Sequence, residues 1–299
     1  MTASAIRLFD HREFDVASLV EAKAAAAQTI SVVLPARDEA TTVGGIVERL
    51  RSALVDDAPL VDEVLVVDDR SVDATAAVAR NAGARVVRSV DVLPEVGVRA
   101  GKGEALWKGV AASTGSLVAF CDADLRDFDP RFVVGLVGPL LLHDDVSFVK
   151  AFYDRPLDGS PRGGGRVTEL MARPLVSSLF PSLTSIVQPL AGEFAGRRPV
   201  LESVPFVEGY GVDLALLIDI ARTYGVESIA QVDLGVRVHR NRPLSELGPM
   251  ATTILLMALD RAGVDAPREA VLRTPERGEV GVSFGERPPL RQVLDRHAP

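Results

Sequence analysis

The chain has 299 residues, room for one large or two modest domains at roughly 150 residues each, and 47% hydrophobic with 25% charged residues can bury a sizeable core, which excludes wholesale disorder. Asp and Glu number 41 against 33 Lys and Arg, a formal charge of -8, the wrong sign for a partner of nucleic acid. An anionic small molecule would need a locally basic site against that global field.

The lone Cys121 cannot form an intrachain disulfide, so nothing points to an oxidising compartment, and a metal site would not be thiolate. Met1 to Asp10 lacks a long apolar core behind a basic stretch, which argues against a cleaved secretory signal. The longest apolar stretch, Phe132 to Leu142, is shorter than the roughly 20 residues a membrane span needs. A cytoplasmic protein without membrane or nucleic-acid partners is expected.

Regular patterning begins at Thr29. Ile30 to Leu34 reads as a strand ending at Pro35, and Thr41 to Leu54 has helical spacing. The unit recurs as strand Glu63 to Val67, turn Asp68 to Ser71 and a helix reaching Ala82, followed by strand Ala84 to Val87. Gly101 to Ala112 reads as a helix, and Ser116 to Cys121 as a strand running into Asp122-Ala-Asp124. Such alternation predicts a parallel α/β sheet, whose ligands collect at the carboxyl ends of the strands.

After residue 150 the character changes. Pro156 to Gly165 reads as a loop, Val167 to Leu179 as a helix and Ser182 to Gly196 as a Pro-containing connection. Helix Val212 to Tyr224, strand Ile229 to Val236, a basic loop His239 to Pro243 and helix Ser245 to Arg261 follow, and the remainder is polar and Pro-rich. The predicted division is an N-terminal extension (1–29), a regularly alternating strand–helix half (30–150), a second half of different character (151–250) and a C-terminal helix and tail (251–299).

Two carboxylates at i and i+2 at a strand end, Asp122 and Asp124, can both reach one hard cation such as Mg²⁺ or Mn²⁺, which is held by one or two carboxylates plus substrate phosphates. The same spacing in isolation is also that of a solvated turn. Asp68-Asp-Arg-Ser-Val-Asp-Ala-Thr75 follows another strand. There Asp68 and Asp69 could accept hydrogen bonds from a uracil N–H or ribose hydroxyls, while Ser71, Asp73 and Thr75 suit a turn and helix start, Thr75 above all as a cap. Pro35-Ala-Arg-Asp-Glu39 could present Glu39 to a ribose and a backbone wall to a base.

These three strand ends resemble the GT-A family of nucleotide-diphospho-sugar transferases over about Thr29 to Asp129, with Arg37-Asp38 where that family commonly has Asn. Lys102 follows a glycine that lets backbone approach a ligand, and can act as a point charge on phosphate or simply as an exposed helix-start lysine. Gly163-Gly-Gly-Arg-Val-Thr-Glu169 reads either as a mobile linker or as an anion site, in which Arg166 and Thr168 add a guanidinium fork and a hydroxyl to a helix N-terminus. His239 is a lone histidine or, if the chain returns to the metal, a ligand beside Asp124 with Asn241 near a phosphate.

Together with Gln188-Pro-Leu-Ala-Gly-Glu193, Gly209-Tyr-Gly-Val-Asp213 and Val238-His-Arg-Asn-Arg-Pro243, these segments are similar to the actinobacterial glucosyl-3-phosphoglycerate synthases over roughly Ile30 to Met250. The resemblance implies a retaining, metal-dependent transfer of glucose from UDP-glucose to the 2-hydroxyl of 3-phosphoglycerate, on the path to glucosylglycerate and methylglucose polysaccharides, by a homodimer. By position it places Asp124 and His239 on the metal and Pro35, Ala36, Arg37, Glu39, Asp69, Ser71, Asp122 and Ala123 around the donor. Leu190, Ala191, Gly192 and Asp213 fall on the sugar, and Asp213 stands where the family usually has Glu. Gly165, Arg166, Thr168, Asn241 and Met250 fall on the acceptor. Lys102, Asp122, Asp124, Leu190 and Asp213 carry the catalysis.

Pro189 to Gly192 offers no carboxylate to attack an anomeric carbon, so same-face attack is the expected route, with Glu208 as the spare carboxylate. Other readings are a transferase using GDP-mannose, or taking free glycerate or a polyprenyl phosphate as acceptor. A nucleotidyltransferase would usually show glycines after the first strand, and Pro35 to Thr41 has none. A non-catalytic nucleotide-sugar-binding protein would leave the acceptor anion site unexplained.

Overall fold

A strand that carries apolar side chains on both faces needs cover on both, and the β-branched run at Ile30 obtains it. The computed structural model describes residues 6–155, 165–237, 244–275 and 278–296, without the side chains of 244–246. The strands are β1 (Arg7–Asp10), β2 (Ile30–Ala36), β3 (Glu63–Asp68), β4 (Arg85–Arg88), β5 (Leu117–Phe120), β6 (Phe148–Asp154), β7 (Phe194–Arg197), β8 (Phe206–Val207), β9 (Ile229–Val236), β10 (Glu269–Thr274), β11 (Gly278–Ser283) and β12 (Glu286–Arg287). Eight form one sheet in the order β1-β9-β6-β7-β5-β2-β3-β4. Every neighbouring pair is parallel except those of β7, which runs antiparallel to β5 and β6.

The helices are α1 (Val16–Ala25), α2 (Val43–Arg51), α3 (Thr75–Asn81), α4 (Lys102–Ala112), α5 (Arg131–Leu142), α6 (Arg173–Leu179), α7 (Arg198–Ser203), α8 (Val212–Tyr224), α9 (Leu244–Arg261) and α10 (Leu290–Arg296). Alternation along the strands divides the core. Val32, Leu34, Val64 and Val66 pack with α2 and α5 on one face. Val33, Leu65, Val67 and Phe120 pack with α4, α8 and α9 on the other. Among the described residues, no helix is long and apolar enough to cross a membrane.

Several expectations need correction. Strand β2 continues through Pro35 to Ala36. The Val33 carbonyl accepts from Cys121 N–H and the Ala36 carbonyl from Asp69 N–H, so alternation turns the Pro35 nitrogen toward β5 beyond its last residue, where no ladder bond is forfeited. Residues 1–29 contribute β1, paired with β9, and α1, packed on α5. The sheet also crosses residue 150, because β6 spans Phe148–Asp154. The polar C-terminal stretch forms a β10–β11 hairpin, pairs β12 with β8 and ends in α10.

Candidate active site

The ends of β2 and β3 are laced together by the side chains of the turns that follow them. Asp38 N–H donates to Ser71 Oγ (3.0 Å), Val72 N–H to Asp38 Oδ1 (2.8 Å), Glu39 N–H to Thr75 Oγ1 (2.8 Å) and Ala40 N–H to Asp73 Oδ2 (3.1 Å). Asp38 and Arg70 take left-handed backbone conformations at these turns, with φ of 58° and 60°. Thr75 is therefore a tie between turns rather than a helix cap. Asp68 accepts from Ser71 N–H, and buried Asp69 accepts from Arg70 and from Ser89 Oγ (3.0 Å). Ser71 Oγ is used as an acceptor, which leaves its proton to give.

Glu39 stands between this wall and the paired carboxylates. Thr42 Oγ1 lies 3.3 Å from Glu39 Oε2 and donates to the Ala123 carbonyl at 2.7 Å. Burial first, and then the charge of Asp124, raise the Glu39 carboxyl above its ordinary pKa. The Ala123 side chain is buried, so at this position the backbone is what meets the neighbouring turn.

Beyond β5, cations and carboxylates interleave. Lys102 Nζ sits 3.0 Å from Asp122 Oδ1 and 3.4 Å from Asp213 Oδ2. Its place follows from the start of α4, where a Cβ on Gly101 would come within 2.8 Å of the Gly209 nitrogen and one on Gly103 within 1.8 Å of the Val207 carbonyl. Only glycines let that turn press onto β8 and deliver Lys102 inward. Arg237 Nη2 lies 3.0 Å from Asp122 Oδ2, 3.5 Å from Asp124 Oδ1 and 3.2 Å from Glu193 Oε1. Tyr153 Oη donates to Glu193 Oε2 at 2.8 Å and accepts from Arg155 and Arg237. Lys150 Nζ reaches Asp213 Oδ1 at 3.3 Å from beneath.

This balance sets the protonation states. Burial opposes the charge of Lys102, but Asp122, Asp213 and Glu193 outweigh it and hold the ammonium well above its usual range. Burial likewise opposes the Asp122 carboxylate, and Lys102 with Arg237 hold it well below the usual carboxylate range. Asp124 moves the other way, raised by burial and by the charge of Asp122. Burial also pushes the Tyr153 phenol up to about 12.

A cavity of about 210 Å³ is lined by Lys102, Asp122, Asp124, Leu190, Gly192 and Asp213 and also by Gly165, Arg166, Thr168 and Met250. Gly165 has a φ of 83° just before the chain turns helical at Arg166. Leu247, Met250 and Ile254 contribute one stripe of α9. All ten of these expected residues meet, although they span residues 102 to 250 of the chain.

Other expectations fall elsewhere. Pro35, Ala36, Arg37, Glu39, Asp69 and Ser71 stand at the same edge of the sheet, at the ends of β2 and β3, but do not line this cavity. Ala191 is buried in the core. Glu208 is held by Arg99 at 2.6 Å and is no spare nucleophile. His239 and Asn241, with Arg240 and Arg242, lie outside the described residues. Sequence reasoning missed Lys150, Tyr153, Arg155, Glu193 as a participant and Arg237. Lys150 and Glu193 were each detectable as a charge within an otherwise apolar stretch.

Among the described residues no group of three His, Cys, Asp or Glu side chains could hold a metal ion by itself. Asp124 nevertheless fits one: its carboxylate is half exposed, at 52%, and repelled by Asp122, with Arg237 no closer than 3.5 Å. A divalent cation that keeps waters and takes phosphate oxygens needs no more than one or two such carboxylates.

A mostly parallel sheet ending in paired carboxylates, with a lysine beside them and a glycine-led helix start carrying Arg166 and Thr168 in the same cavity, fits the class of metal-dependent nucleotide-sugar transferases. Residues 31–201 match glycosyl transferase family 2. The glucosyl-3-phosphoglycerate synthase of Mycolicibacterium paratuberculosis is 47% identical over 306 residues, covering 97% of this chain and 92% of its own. The crystal structure of glucosyl-3-phosphoglycerate synthase from Mycobacterium tuberculosis with Mn²⁺, UDP-glucose and phosphoglyceric acid superposes with a TM-score of 0.88 at 44% identity, over 96% of this chain and 99% of that one. Its complex with Mg²⁺ and UDP gives 0.85 at 42% identity over 96% and 99%. The chain belongs to glycosyl transferase family 2 and, within it, to the family of the glucosyl-3-phosphoglycerate synthases.

Proposed function

We propose that the protein transfers glucose from UDP-glucose to the 2-hydroxyl of 3-phosphoglycerate with retention at the anomeric carbon, giving glucosyl-3-phosphoglycerate and UDP, with Mg²⁺ or Mn²⁺ as cofactor. The observation that carries this reading is that Asp122, Asp124, Lys102 and Asp213 line the same cavity as Arg166 and Thr168, so that donor and acceptor anions can meet. The relatives described above support it by what they bind.

In this reading residues 30–150 bring the nucleotide: Pro35, Ala36 and Arg37 wall the base, Glu39 and Asp69 take hydroxyl or N–H protons, and Ser71 gives one. Asp122 orients the donor beside Ala123, while Leu190, Gly192 and Asp213 surround the sugar and Ala191 between them anchors that turn in the core. Residues 151–250 bring the acceptor, with Gly165, Arg166, Thr168 and Asn241 on its phosphate and carboxylate and Met250 against its carbon chain. Asp124 and His239 hold the metal, which when bound neutralises the diphosphate and steadies the departing charge.

The acceptor hydroxyl attacks the face that the diphosphate leaves. The bond from the anomeric carbon to the β-phosphate oxygen breaks with its electron pair on UDP, the new carbon–oxygen bond forms, and the hydroxyl proton passes to the leaving phosphate. Asp122 and Asp213 are each ion-paired twice, so they bind and orient rather than attack. Lys102 offsets charge on the departing oxygen, and the walls hold hydroxyl and anomeric carbon close.

UDP release with UDP-glucose and 3-phosphoglycerate, followed by NMR of the product anomer, tests the reading. Retained configuration supports it, while tight binding without turnover would replace it with a sensor. A cytoplasmic location and a homodimer complete the proposal; light scattering in solution checks the latter.

A further inference from the structure

Lys150 is a charge where the fold asks for none. Its neighbours on β6, Phe148, Val149 and Ala151, are buried and apolar, and Lys150 itself is 1% exposed. Strand alternation puts it on the same face as Phe148, under α8. Its ammonium sits 5.3 Å from the Phe194 ring centroid. Its contacts with Asp213, 3.3 Å to Oδ1 and 3.5 Å to the carbonyl, end at the first turn of α8. Burying an ammonium is costly, and a well-packed apolar side chain in place of a buried ion pair is often as stable or more so. Stability alone therefore does not explain why an ion pair, rather than two apolar side chains, occupies this place.

What the lysine does is visible at Asp213. The carboxylate lines the cavity yet is only 6% exposed, and its two oxygens face two different ammonium groups, Oδ1 toward Lys150 below and Oδ2 toward Lys102 beside it. A carboxylate gripped at one oxygen can rotate about its bond to Cβ, whereas one gripped at both cannot without losing a pair in a poorly hydrated site. Lys102 is shared with Asp122, so Lys150 is the cation that belongs to Asp213 by itself. A fixed carboxylate plane separates sugars that differ in the direction of one hydroxyl, because the wrong epimer leaves a buried acceptor unpaired.

We propose that Lys150 is a positioning residue for sugar recognition: from the interior of β6 it fixes one oxygen of the Asp213 carboxylate while Lys102 fixes the other, and this grip sets which hexose is accepted. The proposal rests on the reading that Asp213 faces the donor sugar. Lys150 does not touch the substrate; it acts through Asp213.

The test compares Lys150→Met, Lys150→Gln, Asp213→Asn and the double variant Lys150→Met/Asp213→Asn, using UDP release from UDP-glucose, UDP-galactose and UDP-mannose with 3-phosphoglycerate. Lys150→Met, which leaves the buried Asp213 carboxylate with only the ammonium it shares with Asp122, should melt below the wild type, lose about tenfold or more in kcat/KM for UDP-glucose, and lose donor preference by a similar factor, with KM for 3-phosphoglycerate unchanged. Lys150→Gln, which keeps a hydrogen-bond donor for Oδ1, should recover part of the preference. The double variant should be no worse than Asp213→Asn, since both remove one device. Wild-type donor preference in Lys150→Met, or losses that multiply in the double variant, would overturn the proposal. If Lys150→Met does not fold, Lys150→Gln serves in its place: an intermediate preference supports the grip and a wild-type one overturns it. Should Asp213→Asn itself keep the wild-type preference, the sugar-facing reading of Asp213 fails; an impaired Asp213→Asn beside an unaffected Lys150 variant removes the Lys150 proposal alone.

Discussion

Gly192 lies so close to Asp122 that a Cβ added to it would fall 2.3 Å from Asp122 Oδ2. The carboxylate is at the same time held from two other sides by Lys102 and Arg237. Gly192→Ala must push it off one of them. A misplacement of about 1 Å near reacting atoms costs on the order of 100-fold, so kcat/KM should fall by about 10- to 100-fold while the melting temperature changes little. UDP-release kinetics beside a thermal melt measure both; wild-type turnover would show that Asp122 is not held tightly.

The two carboxylates after β5 differ in charge balance, and that difference predicts which answers to metal. Asp122 is compensated by two cations, whereas Asp124 is raised by burial and by the charge of Asp122. Asp124→Asn should raise the Mn²⁺ concentration needed for half-maximal activity at least about tenfold. Chelation should abolish turnover in the wild type, with Mg²⁺ or Mn²⁺ restoring it. A variant that titrates with Mn²⁺ like the wild type would move the metal elsewhere.

Arg166 and Thr168 line the cavity that Lys102 also lines. Losing a charge-assisted hydrogen bond to a phosphate from a partly enclosed site costs about 2 kcal/mol or more. Arg166→Ala should therefore raise KM for 3-phosphoglycerate at least about 30-fold with little change in UDP-glucose affinity, and Thr168→Val should raise it less. Added salt should weaken acceptor binding in the wild type more than in Arg166→Ala. Initial-rate measurements with each substrate varied in turn separate the two; equal loss for donor and acceptor would contradict the assignment.

Glu63 links three strands far from the cavity. It accepts from Ser31 Oγ on β2, from Thr114 N–H (2.9 Å) ahead of β5, and from Arg85 Nε (2.8 Å) on β4. Burial alone would raise its pKa, but these donors outweigh burial and lower it below the ordinary 4.5. A carboxyl lowered on folding contributes stability that is fully present above the unfolded pKa and is lost as pH falls through the folded one. Glu63→Gln should therefore melt lower than the wild type at neutral pH, and the gap should close below about pH 4.5. Circular-dichroism melts across that range check it; a gap independent of pH would mean that the charge is not what Glu63 contributes.

The site was legible where chemistry and local pattern coincide. Asp122-Ala-Asp124 directly after an apolar strand, and glycines opening a helix before Lys102 or Arg166, announce themselves within a few residues because strand ends and helix starts are where side chains meet ligands. The lacing of Asp38, Ser71, Asp73 and Thr75 was not legible. Turn-forming residue types announce a turn, not the neighbouring turn to which they bond, and Thr75 accordingly reads as a cap from sequence and proves to be a tie. Tyr153, Glu193 and Arg237 escaped notice for a related reason. They come from β6, the residue before β7 and the residue after β9, and only the order of strands in the sheet brings them together.

By itself, then, the sequence determined the α/β class, the rise of strands and helices from Ile30 to Ala112, the carboxylate pair and the glycine-led turn that carries Arg166 and Thr168, since each depends on periodicity or on neighbours a few positions apart. Tertiary structure alone decided that residues 7–10 close the sheet against β9, and that the polar C-terminal stretch pairs β12 with β8. It also decided that Asp122 and Asp213 are each gripped by two cations while Asp124 is left under-compensated. Charge compensation is set by distances of 3 to 4 Å across chain separations of tens to more than a hundred residues, and no local spacing encodes those distances.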